Sequence, residues 1–364
     1  MPKEQPIQPP LKATADTVIE LLNENNIQEA NLDFTPKNFD DYLGQDELKK
    51  KLKIYTKAAK QRQEPLDHLL IFGPPGLGKT TLAQIMANEM EVGIKICSGP
   101  TLERTGDLVA ILASLNPLDI LFIDEIHRMA ISVEEILYNA MEQFKVDVIV
   151  GQGVGAHTVN LPIQPFTLIG ATTRSGLISA PLRSRFGITE RLDFYDEDTL
   201  QRIVEQSAKF LNLKIESKSC MLIAKSSRGT PRIAKKLLRR IRDFAQVENK
   251  NIADIDLVKK SLIALGIDEN GLSKVDNMIL QKLVTNFNGG PVGLETLAAL
   301  IGEDGDTIET VYEPYLLQQG FLEKTSRGRQ IPYAILPKLK EKFLGIKSIF
   351  SLLLSVSLVA CNLA

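Results

Sequence analysis

"HLLIFGPPGLGKTTLAQIMANEM" runs from His68 to Met90. It places a short apolar stretch (His68 to Phe72), a glycine-rich loop and a segment of helical periodicity (Lys79 to Met90) in the order strand, loop, helix. The loop, GPPGLGKT at Gly73 to Thr80, fits the pattern GxxxxGK[ST]. Glycines such as Gly76 and Gly78 let successive backbone N–H groups turn inward around phosphate oxygens, with a helix N-terminus behind them. Lys79 would reach the β and γ phosphates of a bound nucleotide. Thr80 would place its hydroxyl on Mg2+, and Thr81 beside it joins the nucleotide-binding set.

A helical pattern from Gln45 to Lys60 precedes this unit, and β-α alternation follows it. The apolar runs Ile120 to Ile123 and Phe166 to Gly170 read as buried parallel strands, so the chain up to about residue 190 is expected to be a three-layer α/β unit. The first run continues into Asp124 and Glu125 within ILFIDEIHR. A buried strand ending in two carboxylates suits metal holding and water activation: Asp124 as the Mg2+-side ligand, Glu125 as the general base. The second run ends in LIGATTRS, where Thr172 or Thr173 could hydrogen-bond the γ-phosphate or the attacking water.

After Asp196 helical periodicity takes over, as in Thr199 to Leu211 and Ile233 to Val247, which implies an all-helical second domain. RGTPRIAKKLLRR, Arg228 to Arg240, opens a helix with Pro231 near its first turn. Most of its basic residues read as a solvated face. Arg232 differs, because an arginine at a helix start can turn back to the nucleotide and make the inter-domain angle depend on what is bound. Helices at Asp276 to Phe287, Gly293 to Ile301 and Asp306 to Gln319, then Phe321 to Lys324, a turn at Ser326 to Arg329 and a strand at Ile331 to Ile335, suggest a winged helix.

The 364 residues are 44% hydrophobic and 24% charged with a formal charge of −2, so any nucleic-acid contact must come from local clusters of base. Cys97, Cys220 and Cys361 lie far apart with no CxxC spacing, and MPKEQPIQPP lacks the apolar core of a secretory signal. A reducing, cytoplasmic setting without zinc is expected, and no histidine is assigned chemistry because none has metal-ligand spacing. The apolar stretch from Ser348 to Ala364 falls short of the ~20 residues a membrane helix needs. It reads as an atypical tail, with a docked helix or membrane contact as alternatives.

PLRSRFG at 181 to 187 carries Arg183 and Arg185, guanidinium forks beside a Phe-Gly turn. Taken in order with the phosphate loop, FIDEIHR, GATTRSG and GTPRIA, this segment resembles the RuvB family of bacterial Holliday-junction branch-migration ATPases, of the AAA+ class. The likeness runs from about Asp33 to Gly345 and includes DDYLGQ, GGPVGLETLA and YLLQQGFLEKTSRGR. It implies an α/β P-loop AAA+ domain with a parallel sheet in three layers (33–195), a helical lid (196–270) and a C-terminal winged-helix domain (271–345). A flexible arm (1–32) and the apolar tail (346–364) would flank them.

The resemblance implies an ATP-dependent motor that translocates duplex DNA at four-way junctions during recombination and repair. Its cofactors would be ATP and Mg2+, its assembly a homo-hexameric ring, and its partners a RuvA-like junction-binding protein and a RuvC-like resolvase. Arg185, with Arg183 as the nearby alternative, would be a finger inserted into the neighbouring subunit's nucleotide. Adenine would lie near Phe34, Thr35, Tyr195 and Glu142-Gln143-Phe144, although the family usually has arginine where Thr35 stands. The stretch Val146 to Leu161 reads as a hairpin with a glycine-rich tip, either structural or docking on the RuvA-like partner. Lys324, Arg327 and Arg329 on the wing would grip DNA phosphates without sequence choice. A clamp-loader-like switch is the alternative function; it would carry a Ser-Arg-Cys finger and a helical collar where this chain has Ser184-Arg185-Phe186 and a winged helix.

Overall fold

The computed structural model describes residues 34–150, 157–268 and 270–345. The expected arm 1–32, the hairpin's glycine-rich tip and the apolar tail 346–364 fall outside them.

Helix α1 (Asp46–Arg62) buries Leu48, Leu52, Thr56 and Ala59, and each of its ends closes on a left-handed residue, Gln45 and Gln63. The first strand, β1 (Leu69–Phe72), leads through the glycine loop to α2 (Lys79–Met90). Then follow β2 (Ile94–Ser98), α3 (Thr105–Ala113), β3 (Ile120–Asp124) and α4 (Ile131–Gln143). An antiparallel hairpin, β4 (Lys145–Val150) and β5 (His157–Pro162), intervenes before β6 (Thr167–Thr172), the short helix α5 (Ala180–Ser184) and β7 (Ile188–Arg191).

Five of these strands form one parallel sheet in the order β2-β3-β6-β1-β7. All six residues of β6 and the first four of β3 are buried, as strands covered on both faces must be. One core lies on the α1 and α2 side and continues into the helical domain; the other lies under α3, α4 and α5 and includes Leu121, Ile123, Phe166 and Leu168. Phe72 pairs with Thr172 and Ile123 with Gly170, so β1, β3 and β6 end side by side at the sheet's carboxyl edge. Ligands of open parallel sheets bind at that edge.

The helical domain comprises α6 (Glu197–Phe210), α7 (Ser217–Lys225), α8 (Pro231–Val247) and α9 (Ile255–Ala264). Asp196 caps α6 through Thr199 N at 2.7 Å, and Asp254 caps α9 through Leu257 N at 2.8 Å. The next domain starts with α10 (Lys274–Phe287), whose Ser273 and Asp276 form a reciprocal capping box, and α11 (Leu294–Ile301).

One expectation in this region needs correction, in the wing. The helix expected from Asp306 to Gln319 is present as one helical run, α-helical at Gly305–Thr307, π-helical at Ile308–Tyr312 and α-helical again in α12 (Glu313–Gln318). Pro314 has no N–H to return to the carbonyl of Thr310, which accounts for the wider turn there. The wing strands are β8 (Glu323–Thr325) and β9 (Gly328–Gln330), so Gly328 and Arg329 lie in a strand and not in the turn. Ile331 to Ile335 forms no strand, because Pro332 lacks a ladder donor and the chain turns into α13 (Leu336–Leu344).

Candidate active site

Between β1 and α2 the loop is shaped by residues that only glycine satisfies easily. Gly76 has φ +81°, and a Cβ added there would lie 3.0 Å from Cβ of Arg232. Gly73 lies so close to the Leu192 carbonyl that a Cβ would meet it at 2.4 Å. Lys79 is buried, and its Nζ donates to Gly73 O at 2.8 Å and Pro74 O at 3.0 Å. Burial lowers its pKa, against the opposing pull of Asp124 and Glu125. Thr80 and Thr81, at the start of α2, are half-buried.

Beneath the loop sit two phenols. The Tyr195 and Tyr42 hydroxyl oxygens are 2.9 Å apart and lie 3.2 and 3.4 Å from the Leu77 carbonyl. Tyr195 is therefore packed under the loop, with its pKa pushed up to about 12 by burial. Tyr42 lies within DDYLGQ, but nothing in that segment's sequence assigns it a role; a Cβ on Gly78 would lie 3.2 Å from its hydroxyl.

At the end of β3, burial raises the Asp124 pKa, while Lys79 and Arg232 act to lower it. Glu125 takes a left-handed φ of 46° and its N–H donates to Asp124 Oδ1 at 3.0 Å. Its Oε2 accepts from Thr173 N at 3.2 Å and Thr173 Oγ1 at 3.0 Å. The strand-end threonines thus divide: Thr173 faces Glu125, while Thr172 is fully buried and its hydroxyl lies 2.8 Å from His127 Nδ1. His127, set aside in the sequence reading for want of metal-ligand spacing, belongs to this cluster. A single 3-10 turn, Ile126–Arg128, sets it beside Glu125, and the fold brings Thr172 to it from 45 residues away.

A cavity of about 880 Å³ opens onto this cluster, with Pro74, Glu125, His127, Thr173, Arg174 and Asp306 in its walls. Arg174 and Asp306 form an ion pair across it, from the sheet domain to the last domain. From the helical side, Arg232 N donates to Gly76 O at 3.3 Å, and its side chain is exposed.

The remaining sequence candidates separate into two places. Phe34 packs edge-on against Phe210 and its carbonyl accepts from Lys235 Nζ; Thr35 beside it is exposed. Glu142 is instead beside Arg185, its Oε1 3.1 Å from Nε in an ion pair whose geometry is not that of a hydrogen bond. The Arg185 guanidinium lies 4.5 Å from the Tyr138 ring centre, and Nη1 donates to Pro181 O at 2.8 Å. Gln143 is exposed, and Phe144 packs edge-on against Phe166 in the core. Arg183 donates to the Ser175 carbonyl of its own chain.

On the wing, Lys324 Nζ lies 2.7 Å from Glu309 Oε1 and 3.3 Å from Glu313 Oε2. Arg329 is tied to Glu313 and Glu309, and the Glu313 side chain is 1% exposed. Arg327 is exposed at the turn. Among the described residues no three His, Cys, Asp or Glu side chains converge as a metal site, and no helix is long and apolar enough to cross a membrane.

Comparison with known proteins covers this whole arrangement. Residues 34–192 match the model of the Holliday junction DNA helicase RuvB P-loop domain, 195–268 that of the RuvB AAA lid domain, and 269–336 that of the RuvB C-terminal winged helix domain. The chain is 54% identical over 300 residues to a Lactobacillus gasseri protein named Holliday junction branch migration complex subunit RuvB, covering 82% of this chain and 88% of the relative. A Latilactobacillus sakei protein of the same name is 53% identical over 319 residues, 87% of this chain and 95% of the relative. A solved structure of the Thermotoga maritima RuvB Holliday junction branch migration motor superposes with a TM-score of 0.76 at 48% identity, covering 85% of this chain and 98% of that one.

Proposed function

The chain belongs to the RuvB family, and from that premise we propose that ATP is bound at Gly73 to Thr81 and hydrolysed by a water that Glu125 activates. The protein is an AAA+ ATPase of Holliday-junction branch migration. The observation that carries the residue assignment is the meeting of three elements at one edge of the sheet: the buried Lys79, the Asp124-Glu125 pair, and Thr173 on the Glu125 carboxylate.

In this reading Lys79 and the loop N–H groups hold the phosphates, and Thr173 senses the γ-phosphate or the attacking water. Thr80 and Asp124 would hold Mg2+, whose charge screens the phosphate oxygens. The donor set fits that ion: two protein oxygens beside phosphates are what Mg2+ takes in nucleotide sites, and burial already disfavours an uncompensated Asp124 carboxylate. Arg232, resting on the loop from the lid, reads the same nucleotide. Gly76 and Gly78 let the backbone approach, and Phe34, Thr35 and Tyr195 flank the adenine side.

Arg185 acts on the neighbour's γ-phosphate within a hexameric ring, with Glu142 beside it as part of that shared edge; Gln143 and Phe144 follow on the same segment. Stabilising charge only as it develops makes hydrolysis conditional on the neighbour's position. Duplex DNA is gripped through wing cations, with Arg327 the most available. The β4-β5 hairpin, whose second strand is exposed along its length, is the docking element for a RuvA-like partner, and a RuvC-like resolvase acts on the same junction. Work of this kind places the protein in the cytoplasm.

The test is dissociation of a synthetic four-way junction by the full chain with a RuvA-like partner. Movement that requires ATP and partner supports the reading. ATP consumption without any junction movement would leave a clamp-loader-like switch in its place.

A further inference from the structure

Immediately after Glu125, the 3-10 turn Ile126–Arg128 carries His127 back across the sheet edge, where its side chain is 8% exposed. Its Nδ1 lies 2.8 Å from Thr172 Oγ1 and 3.2 Å from Glu125 Oε2. Thr173 directs two donors, its N–H and its hydroxyl, at that same carboxylate oxygen. We propose that His127 is a positioning residue for ATP hydrolysis: the edge of its ring, held at Nδ1 by Thr172 Oγ1 at 2.8 Å, stands 3.2 Å from Oε2 of Glu125 and keeps the carboxylate oriented when Thr173 turns toward the γ-phosphate. The proposal rests on Glu125 being the base.

The chemistry of the neighbours sets the tautomer. An ionised carboxylate only accepts, so a lone pair on Nδ1 at this separation would repel it, whereas a proton there attracts it. Burial holds the imidazole pKa below its ordinary range, against the opposing pull of the Glu125 carboxylate. Thr172 steadies the ring at that same nitrogen, its Oγ1 2.8 Å from Nδ1. Its hydroxyl oxygen is fully buried at the end of β6 and also accepts from Arg174 N at 3.0 Å.

The need for a second anchor follows from what Thr173 is asked to do. One hydroxyl cannot donate its proton to Glu125 and to a phosphate oxygen or water at once. When it leaves, the carboxylate keeps only backbone and imidazole contacts, and a glutamate side chain has several rotatable bonds with which to drift. A displacement of about 1 Å in a reacting group can cost on the order of 10²-fold in rate.

ATP turnover of four full-length variants tests this: His127→Ala, His127→Asn, Glu125→Gln, and His127→Ala with Glu125→Gln. Asparagine can place an amide N–H near the position of Nδ1. We expect His127→Ala to lower kcat roughly 10- to 100-fold with KM for ATP little changed, and His127→Asn to recover most of the loss. In the Glu125→Gln background the alanine change should cost nothing further, because its effect passes through a carboxylate already removed. Normal turnover in His127→Ala overturns the proposal. So does an asparagine variant as slow as alanine with lowered thermal stability, or a loss that multiplies in the double variant. Near-normal turnover of Glu125→Gln alone would instead remove Glu125 as the base, and the two failures are thereby distinguishable.

Discussion

The backbone N–H of Arg232 donates to the carbonyl of Gly76 at 3.3 Å, which joins the first turn of a lid helix to the phosphate loop of another domain. Anything that shifts the loop is felt at the start of α8, and the exposed side chain of Arg232 passes beside Gly76 close enough for its charge to act on Asp124. Arg232→Ala should lower ATP turnover by roughly 10- to 100-fold while nucleotide-free DNA binding stays intact. Steady-state ATPase assays and gel-shift titrations without nucleotide check this. Equal losses in both would show that the side chain holds the lid together.

Arg185 stands apart from its own phosphate loop, beside Glu142 and over Tyr138. Arg185→Ala should bind ATP and DNA yet hydrolyse poorly, and mixing it with Lys79→Ala should restore part of the ATPase. In the mixed ring some interfaces pair the intact arginine of one subunit with the intact loop of the other. ATPase is measured apart from junction movement, since movement can require every subunit to fire. No recovery together with normal turnover in Arg185→Ala would rule out a finger acting between subunits.

The sheet domain was legible because its chemistry is local. Buried parallel strands carry unbroken apolar runs, and the loop has a spacing that backbone geometry demands, so Lys79 to Met90 is a helix with the expected ends. The site was legible only where residues adjacent in sequence act together, as Asp124 and Glu125 do. His127 and Tyr42 lie inside the segments FIDEIHR and DDYLGQ, but their partners Thr172 and Tyr195 are 45 and 153 positions away, so their roles show only in the fold. The wing register failed for a different reason. Apolar Ile331 to Ile335 looked like a strand, but Pro332 breaks the ladder, and the pairing falls back onto Gly328 to Gln330.

That register decides what the wing arginines do. Arg329 neutralises Glu313, whose side chain is 1% exposed, and Lys324 lies 3.3 Å from the same carboxylate, so Arg329→Ala leaves it with one partner of two and should destabilise the last domain by about 1–3 kcal/mol. Arg327→Ala should leave thermal stability unchanged, weaken duplex binding, and reduce the salt dependence of binding by about one phosphate contact. Melting curves and salt titrations separate the two. A purely DNA-binding phenotype for Arg329→Ala would contradict its structural assignment.

A second buried pair ties the lid to the winged-helix domain. Arg228 meets Asp276, a residue with no exposed surface, and its guanidinium lies 4.9 Å from the Tyr315 ring centre. Asp276 also closes the capping box of α10 through Ser273. Asp276→Asn should therefore cost about 3–5 kcal/mol, because the arginine is left buried without its counter-charge. Chemical unfolding of the full chain followed through the winged-helix domain tests this, and a shift within 1 kcal/mol would show that the pair contributes little.

The central claim, that Glu125 activates the water in a site assembled from Lys79, Asp124 and Thr173, is tested most directly by comparing ATP binding and hydrolysis in Glu125→Gln. Glutamine keeps the shape and loses the base, so ATP should bind with affinity near that of the unchanged protein while kcat falls about 10²-fold or more. A variant that binds ATP normally and turns it over at near the unchanged rate would contradict the claim.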